Sequence, residues 1–220
     1  MVQQQLQLRE EVIRHDALPG PVRTVAGVDV AYAKGENRLV AAVAVLNAHT
    51  LELLQVVSYA GEATFPYVPG LFSFRELPAV LEALKKLAAP PDLLVCDGQG
   101  LAHPRRFGLA CHLGVATGIP TIGCAKTRLL GEYAPLGPNR GDYQDLLDNG
   151  EIIGRALRTQ PGKNPVFVSI GHKVSLETAT AWVLRLAATY RQPETTRAAD
   201  HAVNTLLRAG STPGPAAPLT

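Results

Sequence analysis

The 220-residue sequence predicts a mixed α/β fold: antiparallel first strands, then parallel strands, with helices flanking the sheet. Two observations carry this. Three β-rich runs, 24–31, 39–46 and 51–60, are joined by the turn-like Lys34-Gly35-Glu36-Asn37 and by residues 47–50, spacings suited to antiparallel hairpins. Downstream, apolar strands at 92–97 and 121–125 alternate with helical segments at 72–87 and 105–117, an order that makes neighbouring strands parallel. A 46% hydrophobic, 18% charged composition over this length supports one sizeable core.

The remaining elements follow in chain order. Residues 1–18, rich in Gln and charge, read as a polar-faced helix stopped by Pro19-Gly20. Pro66 and Pro69 stiffen the loop before the 72–87 helix, in which Pro78 marks a first turn or limits the regular part; Pro90-Pro91 ends it. The 92–97 strand feeds the loop Asp97-Gly98-Gln99-Gly100. Runs 152–159 and 166–170 flank Gln160-Pro161-Gly162-Lys163-Asn164-Pro165, a late hairpin. Ser175 is placed to cap a helix through Tyr190, with Glu177 near its positive end, and a helix after Pro193 carries Asp200. Residues 1–210 are thus expected to form one domain and 211–220, with three prolines, a loose tail.

Composition excludes several classes. No apolar run approaches the roughly 18 residues of a membrane span, and the N-terminal stretch has no apolar core of a secretion signal. Cys96, Cys111 and Cys124 lie in apolar stretches without C-x-x-C spacing, which fits reduced core thiols in a cytoplasmic protein. The net charge, +2 from 21 basic and 19 acidic residues, does not announce a nucleic-acid partner. Its distribution does. Windows 98–131 (Arg105, Arg106, Lys126, Arg128) and 154–176 (Arg155, Arg158, Lys163, Lys173) contain no acid, leaving the rest of the chain net negative. Segregation of this kind is expected where carboxylates gather a metal while basic segments meet phosphates.

The carboxylates stand in telling places. Asp29 lies inside an apolar strand, where a charge must be paired, bind a metal or face solvent. Asp97 ends another strand, where open α/β sheets place their sites. Glu76 follows the Pro-rich loop. Carboxylates at neighbouring strand ends repel unless a cation or proton intervenes, and oxygen-only sets suit Mg²⁺ or Mn²⁺. Taken singly, Asp29 also reads as a solvated strand residue and Asp97 as a turn former. Tyr67, between Pro66 and Pro69, is either presented for stacking against a base or buried under its own loop. Gly70, Gly98 and Gly100 permit close backbone approach. His103 is a candidate contact for a metal-bound water or a phosphate, or a solvated loop residue.

Together these segments resemble the endonuclease V family: Val25-Ala26-Gly27-Val28-Asp29-Val30-Ala31-Tyr32, Pro66-Tyr67-Val68-Pro69-Gly70, Phe74-Arg75-Glu76, Asp97-Gly98-Gln99-Gly100, His103-Pro104-Arg105-Arg106-Phe107-Gly108, Gly123-Cys124-Ala125-Lys126-Thr127 and Ser169-Ile170-Gly171-His172-Lys173-Val174-Ser175. The resemblance implies a ribonuclease H-like fold and a DNA-repair nuclease. Such an enzyme uses Mg²⁺, with Mn²⁺ substituting, to cut the second phosphodiester bond 3′ to deoxyinosine or another deaminated base, leaving 3′-hydroxyl and 5′-phosphate ends. Inosine-containing RNA is a further substrate of some members. By motif match, Asp29 and Asp97 would ligate the metal, Glu76 would complete the acidic set, and Lys126 would stabilise phosphate charge or position the water. His103 joins the catalytic candidates, and Asp200 resembles a late acidic position of the fold. Tyr67 looks like the family's wedge; Gly70, Gly98 and Gly100, with Leu109 and Leu129, would line the pocket for the displaced base. Thr195 stands where the family pattern has proline, which should loosen the local turn.

Three other readings compete. The 25–29 strand and its turn also resemble the first phosphate loop of sugar-kinase and actin-like ATPases, but 220 residues leave no room for their second lobe. A module that binds damaged nucleic acid without cutting it would not need acids beside a polyanion. A generic ribonuclease H-like nuclease is disfavoured by the Tyr67 loop and the glycines. A monomer without membrane contact is expected.

Overall fold

The structure, a computed structural model, describes residues 1–33 and 37–209. The turn expected at 34–37 therefore lies, apart from Asn37, outside the described residues, as does the 211–220 tail.

Strands β1 (Thr24–Tyr32), β2 (Arg38–Asn47) and β3 (Leu53–Glu62) pair antiparallel in sequence order, as their hairpin spacing dictates. Helix α1 (Val2–Leu8) and a 3₁₀ turn (Arg9–Glu11) precede them. After α2 (Phe72–Leu84), strand β4 (Leu93–Cys96) returns beside β1 in parallel, and after α3 (Leu109–Thr117), β5 (Thr121–Ala125) lies parallel to β4. Strands β6 (Tyr143–Asp148), β7 (Glu151–Leu157) and β8 (Val166–His172) close the sheet antiparallel, followed by α4 (Leu176–Leu186) and α5 (Glu194–Ala209). The eight strands run β3-β2-β1-β4-β5-β8-β7-β6.

Strand β2 reads Leu39-Val40-Ala41-Ala42-Val43-Ala44-Val45-Leu46 without a polar break because both its faces are covered. Leu39, Ala41 and Val43 join Leu77 and Val80 of α2 in one cluster, while Val40 and Ala42 meet Val203 of α5 in another. Alternate residues of β1 and β4 divide likewise: Ala26, Leu94 and Cys96 face the α2 cluster, and Val25, Leu93 and Val95 face Ala179 and Val183 of α4.

Four expectations need correction. The helix expected over 1–18 stops by Glu11, because residues 13–17 are drawn against β8 and α4. Ile13 N–H donates to His172 Nδ1 (3.2 Å), Lys173 N–H to the Ile13 carbonyl (2.7 Å), and Asp16 accepts from Ser175 and Thr178 at the start of α4. The 105–117 helix begins only at Leu109, since Arg106 adopts φ 56° and its guanidinium is pinned by Asp148 and Glu151 (both 2.7 Å). Helix α4 ends at Leu186, not Tyr190, where Arg140 and Gln160 take the terminal carbonyls. The 72–87 helix ends at Leu84 but continues through Pro78. Ser175 caps α4 as expected, its hydroxyl accepting from Thr178 N–H at 3.1 Å.

Candidate active site

Strands β1, β4 and β5 are parallel neighbours, so residues at their C-terminal ends converge. Val28 pairs with Cys96, and Cys96 with Gly123, which sets Asp29, Asp97 and Lys126 at one edge of the sheet. Lys126 Nζ lies 2.6 Å from Asp97 Oδ2 and 3.7 Å from Asp200 Oδ1, bringing α5 to the same point. Glu76, on α2, is buried beside them, with Asp29 and Asp97 close enough to act on its carboxyl.

This packing has an electrostatic consequence. Burial, then the charge of Asp97, raises the Asp29 pKa to about 7, against smaller opposing effects from Val30 N–H and Lys126. Glu76 is pushed well above the usual carboxylate range by burial and by Asp29 and Asp97. The Tyr32 hydroxyl is buried beside Glu76, and that burial, with the Glu76 charge, pushes its pKa up to about 12. Asp29, Glu76, Asp97 and Asp200 thus share one half-buried corner with the Lys126 ammonium and, beside Glu76, the Arg75 guanidinium. A divalent cation fits the donor set, because all-oxygen ligands suit hard ions and the added charge would relieve the repulsion. Among the described residues, no three carboxylate, His or Cys groups yet converge as a closed ion cage; Lys126 occupies the ground between Asp97 and Asp200.

Beside the carboxylates opens a pocket of about 260 Å³, walled by Tyr67, Gly70, Phe72, Ser73, Gly98, Gln99, His103, Gly108, Leu109 and Leu129, with Glu76 and Asp97 on its rim. Tyr67 is 68% exposed and meets Phe72 edge-on at 5.9 Å, so it is presented by its loop and not buried under it. Leu109 is buried in the wall and Leu129 exposed at the mouth. A Cβ at Gly98 would make ordinary van der Waals contact with the Leu109 side chain, 3.8 Å away. Gly100 is placed differently. It is buried behind the wall, its N–H donating to Ser169 Oγ, and a Cβ there would strike the Ile170 carbonyl at 2.0 Å; it shapes the loop and does not line the pocket. His103 lines the pocket but is neither solvated nor free. Its Nδ1 accepts from Arg105 N–H (3.2 Å), and burial with the Arg105 charge pushes its pKa down to about 4, against a hydrogen bond to the Gly70 carbonyl.

The acid-free windows are neutralised only in part, and Arg128 and Lys163 stay exposed. Arg106 pairs with Asp148 and Glu151, and buried Arg155 with Asp145 and Glu177. Arg158 donates to the Gly137 carbonyl and Lys173 to the Gly118 carbonyl. For Arg106 and Arg155 the acids missing from the sequence neighbourhood are supplied by spatial neighbours. All three cysteines are buried, burial pushing Cys111 up to about 12 and the others higher, so none is a nucleophile.

Behind the wall, His112 lies between Phe74 and Phe107, its Nδ1 3.1 Å from Ser73 Oγ, and burial pushes its pKa down to about 4. The fold therefore holds it neutral while an unfolded chain protonates it nearer its ordinary value, so stability falls as pH drops from about 6.5 toward 4. Urea titrations should show about 2 kcal/mol less acid loss between about pH 7 and pH 5 in His112→Gln than in the parent. Equal slopes would place the titrating groups elsewhere.

A family model described as Endonuclease V matches residues 6–201, and Endonuclease V of Roseiflexus sp. (strain RS-1) is 56% identical over 196 residues, 89% of this chain and 87% of its own length. The chain belongs to the endonuclease V family. The crystal structure of Endonuclease V from Streptomyces avermitilis matches with a TM-score of 0.91 at 50% identity, covering 95% of this chain and 92% of that one. Endonuclease V of Ciona intestinalis, solved in complex with a 24mer DNA containing an inosine followed by a ribo-adenosine, matches at TM-score 0.84 and 29% identity over 96% and 97%. The mixed eight-stranded sheet is the ribonuclease H-like fold the resemblance implies. Thr195, which stands where the family pattern has proline, is fully buried in the first turn of α5 with its carbonyl against Gly27 and its hydroxyl without a partner. Phe72, Ser73, Gln99 and Gly108 of the wall went unread in the sequence; only Phe72, an aromatic opening a helix after a rigid loop, left a usable signal.

Proposed function

We propose that this endonuclease V family chain, acting as one unit over residues 1–210, hydrolyses DNA at deaminated bases, chiefly deoxyinosine. The cut falls at the second phosphodiester bond 3′ to the lesion and leaves 3′-hydroxyl and 5′-phosphate ends. The observation that supports this reading best is the adjacency of an over-crowded carboxylate corner to a pocket overhung by an exposed, rigidly mounted tyrosine. A binding module gains nothing from that corner, and a non-selective nuclease gains nothing from that pocket.

Asp29, Asp97 and Glu76 would hold Mg²⁺, or Mn²⁺ in its place, with Asp200 as an additional acid. When bound, the ion would polarise the phosphate, orient the attacking water and steady the leaving 3′-oxygen. Lys126, which bridges Asp97 and Asp200, would share the scissile phosphate's charge through its ammonium. Tyr67 fills the gap left in the stack by the displaced base, which the pocket receives between Leu109, Leu129 and the Gly98 backbone. His103, held neutral with both ring nitrogens engaged, serves as wall and hydrogen-bonding group, and Gly70 presents the loop.

Matched oligonucleotides with and without one inosine, as DNA and as RNA, test the reading. A nick at the second bond on the 3′ side, lost in EDTA and in inosine-free controls, is the expected result for DNA, and the RNA arm sets the substrate range. Cleavage that ignores inosine would leave a generic nuclease. Tyr67→Ala should lower the preference for inosine over normal bases by ~10-fold or more, since base stacking is worth ~1–3 kcal/mol. An unchanged preference removes the wedge role.

A further inference from the structure

Gln5 is the one buried residue of α1; Gln3, Gln4 and Gln7 around it are exposed. A fully buried amide on a short surface helix must be hydrogen-bonded, and its partners are informative. Nε2 donates to the Gly70 carbonyl (3.1 Å) and to the Phe107 carbonyl (2.8 Å), spending both amide hydrogens on two different loops. Its Oε1 accepts from Arg105 Nε, and the same guanidinium donates to the Gly70 carbonyl, closing a ring of hydrogen bonds. Gly70 ends the Tyr67 loop with φ 76°, and Phe107 immediately precedes Gly108 of the opposite pocket wall. Neither Gln5 nor Arg105 lines the pocket.

We propose that Gln5 is a specificity-determining positioning residue: it fixes the separation of the Tyr67 loop and the 98–108 loop, and so the width of the pocket between them. This rests on the reading of that pocket as the receptor for a displaced base. Hypoxanthine differs from guanine only in lacking the exocyclic 2-amino group. A wall that admits the first and refuses the second must therefore be held to within the size of that group. Arg105 and His103 tie the 98–108 loop to the same Gly70 carbonyl, and the buried Gln5 amide holds that guanidinium in place while adding the Phe107 carbonyl to the set. The N-terminal helix, otherwise outlying, is thereby part of the recognition apparatus.

Gln5→Glu tests this with little change of shape. The carboxylate still accepts from Arg105 but cannot donate to the Gly70 and Phe107 carbonyls. On inosine DNA the variant should show a raised KM with kcat nearly kept, and its preference for inosine over guanine at the same position should fall roughly ten-fold or more. Gln5→Met, similar in length and unable to hydrogen-bond, should do the same. Leu8→Ala, which weakens the packing of α1 against the core without touching the Gln5 bonds, is the control for mere anchoring: a lower Tm with selectivity intact. Loss of selectivity in both Gln5 variants but not in Leu8→Ala supports the proposal. Unchanged selectivity in Gln5→Glu, or an equal loss in Leu8→Ala, overturns it. If the parent chain itself shows no preference for inosine, the function proposed for the pocket fails; if it does and Gln5→Glu keeps that preference, only the role of Gln5 fails.

Discussion

Asp97→Ala is expected to abolish inosine-directed nicking, a loss of at least ~10³-fold, while binding of inosine DNA survives within a few-fold. Asp97 continues β4 at the point where the three parallel strands end, its N–H donating to the Val28 carbonyl at 3.2 Å, and its carboxylate is the group that holds Lys126. Its removal deprives the acidic set of one of its proposed ligands and leaves the ammonium to Asp29 and Asp200. It also takes away the charge that, after burial, does most to raise the Asp29 pKa, so Asp29 becomes a more ordinary carboxylate and the corner loses its affinity for a cation. The change reaches the pocket only at its rim, and the apolar wall of Phe72, Leu109 and Leu129 is kept. Removing a negative charge near a polyanion should if anything favour binding. Single-turnover nicking and fluorescence anisotropy on one labelled duplex separate the two effects. Mg²⁺-dependent nicking by the variant at near-parental rate would end the assignment of Asp97.

What the chain discloses before folding follows a physical divide. Strand β5 falls where the sequence puts it, because a short apolar run buried on both faces has no other use. Strand β6 goes unread: it lies at the sheet edge, half exposed, and carries Asp145 and Asp148 that pair with arginines. Yet Asn149-Gly150, with φ 52° and 81°, is a hairpin turn visible in the sequence, and reading it would have recovered the strand. Asp29 and Asp97 stood out because charge inside apolar runs is costly and must be explained locally. Gln5 could not stand out. Its burial depends on carbonyls 65 and 102 positions away, and nothing in a run of glutamines distinguishes one of them. Arg106 and Arg155 misled for the same reason in reverse, their acidic partners lying outside the windows in sequence.

Gly27→Ala should be the most disruptive single-methyl change near the site. A Cβ there would stand 1.9 Å from the Thr195 carbonyl oxygen, 2.1 Å from its carbon and 2.7 Å from Thr196 N, all backbone atoms that cannot swing aside. Strand β1 cannot yield either, being paired to β2 on one side and β4 on the other. The helix must move, and Thr195 and Thr196, almost wholly buried in its first turn, must move with it. Overpacking of this kind costs ~3 kcal/mol or more, which for a chain of this size lowers Tm by roughly 6–12 °C. Gly27 and Asp29 are two residues apart on one strand and so share a face, the face α5 covers. The close approach that only glycine allows is therefore what brings Asp200 within reach of Lys126. Nicking should fall further than the lost stability explains, even where the variant is fully folded. Gly20→Ala, with nothing within 4 Å of its added methyl, is the neutral control. A Gly27→Ala protein melting within about 2 °C of its parent would show that α5 is not seated by this contact.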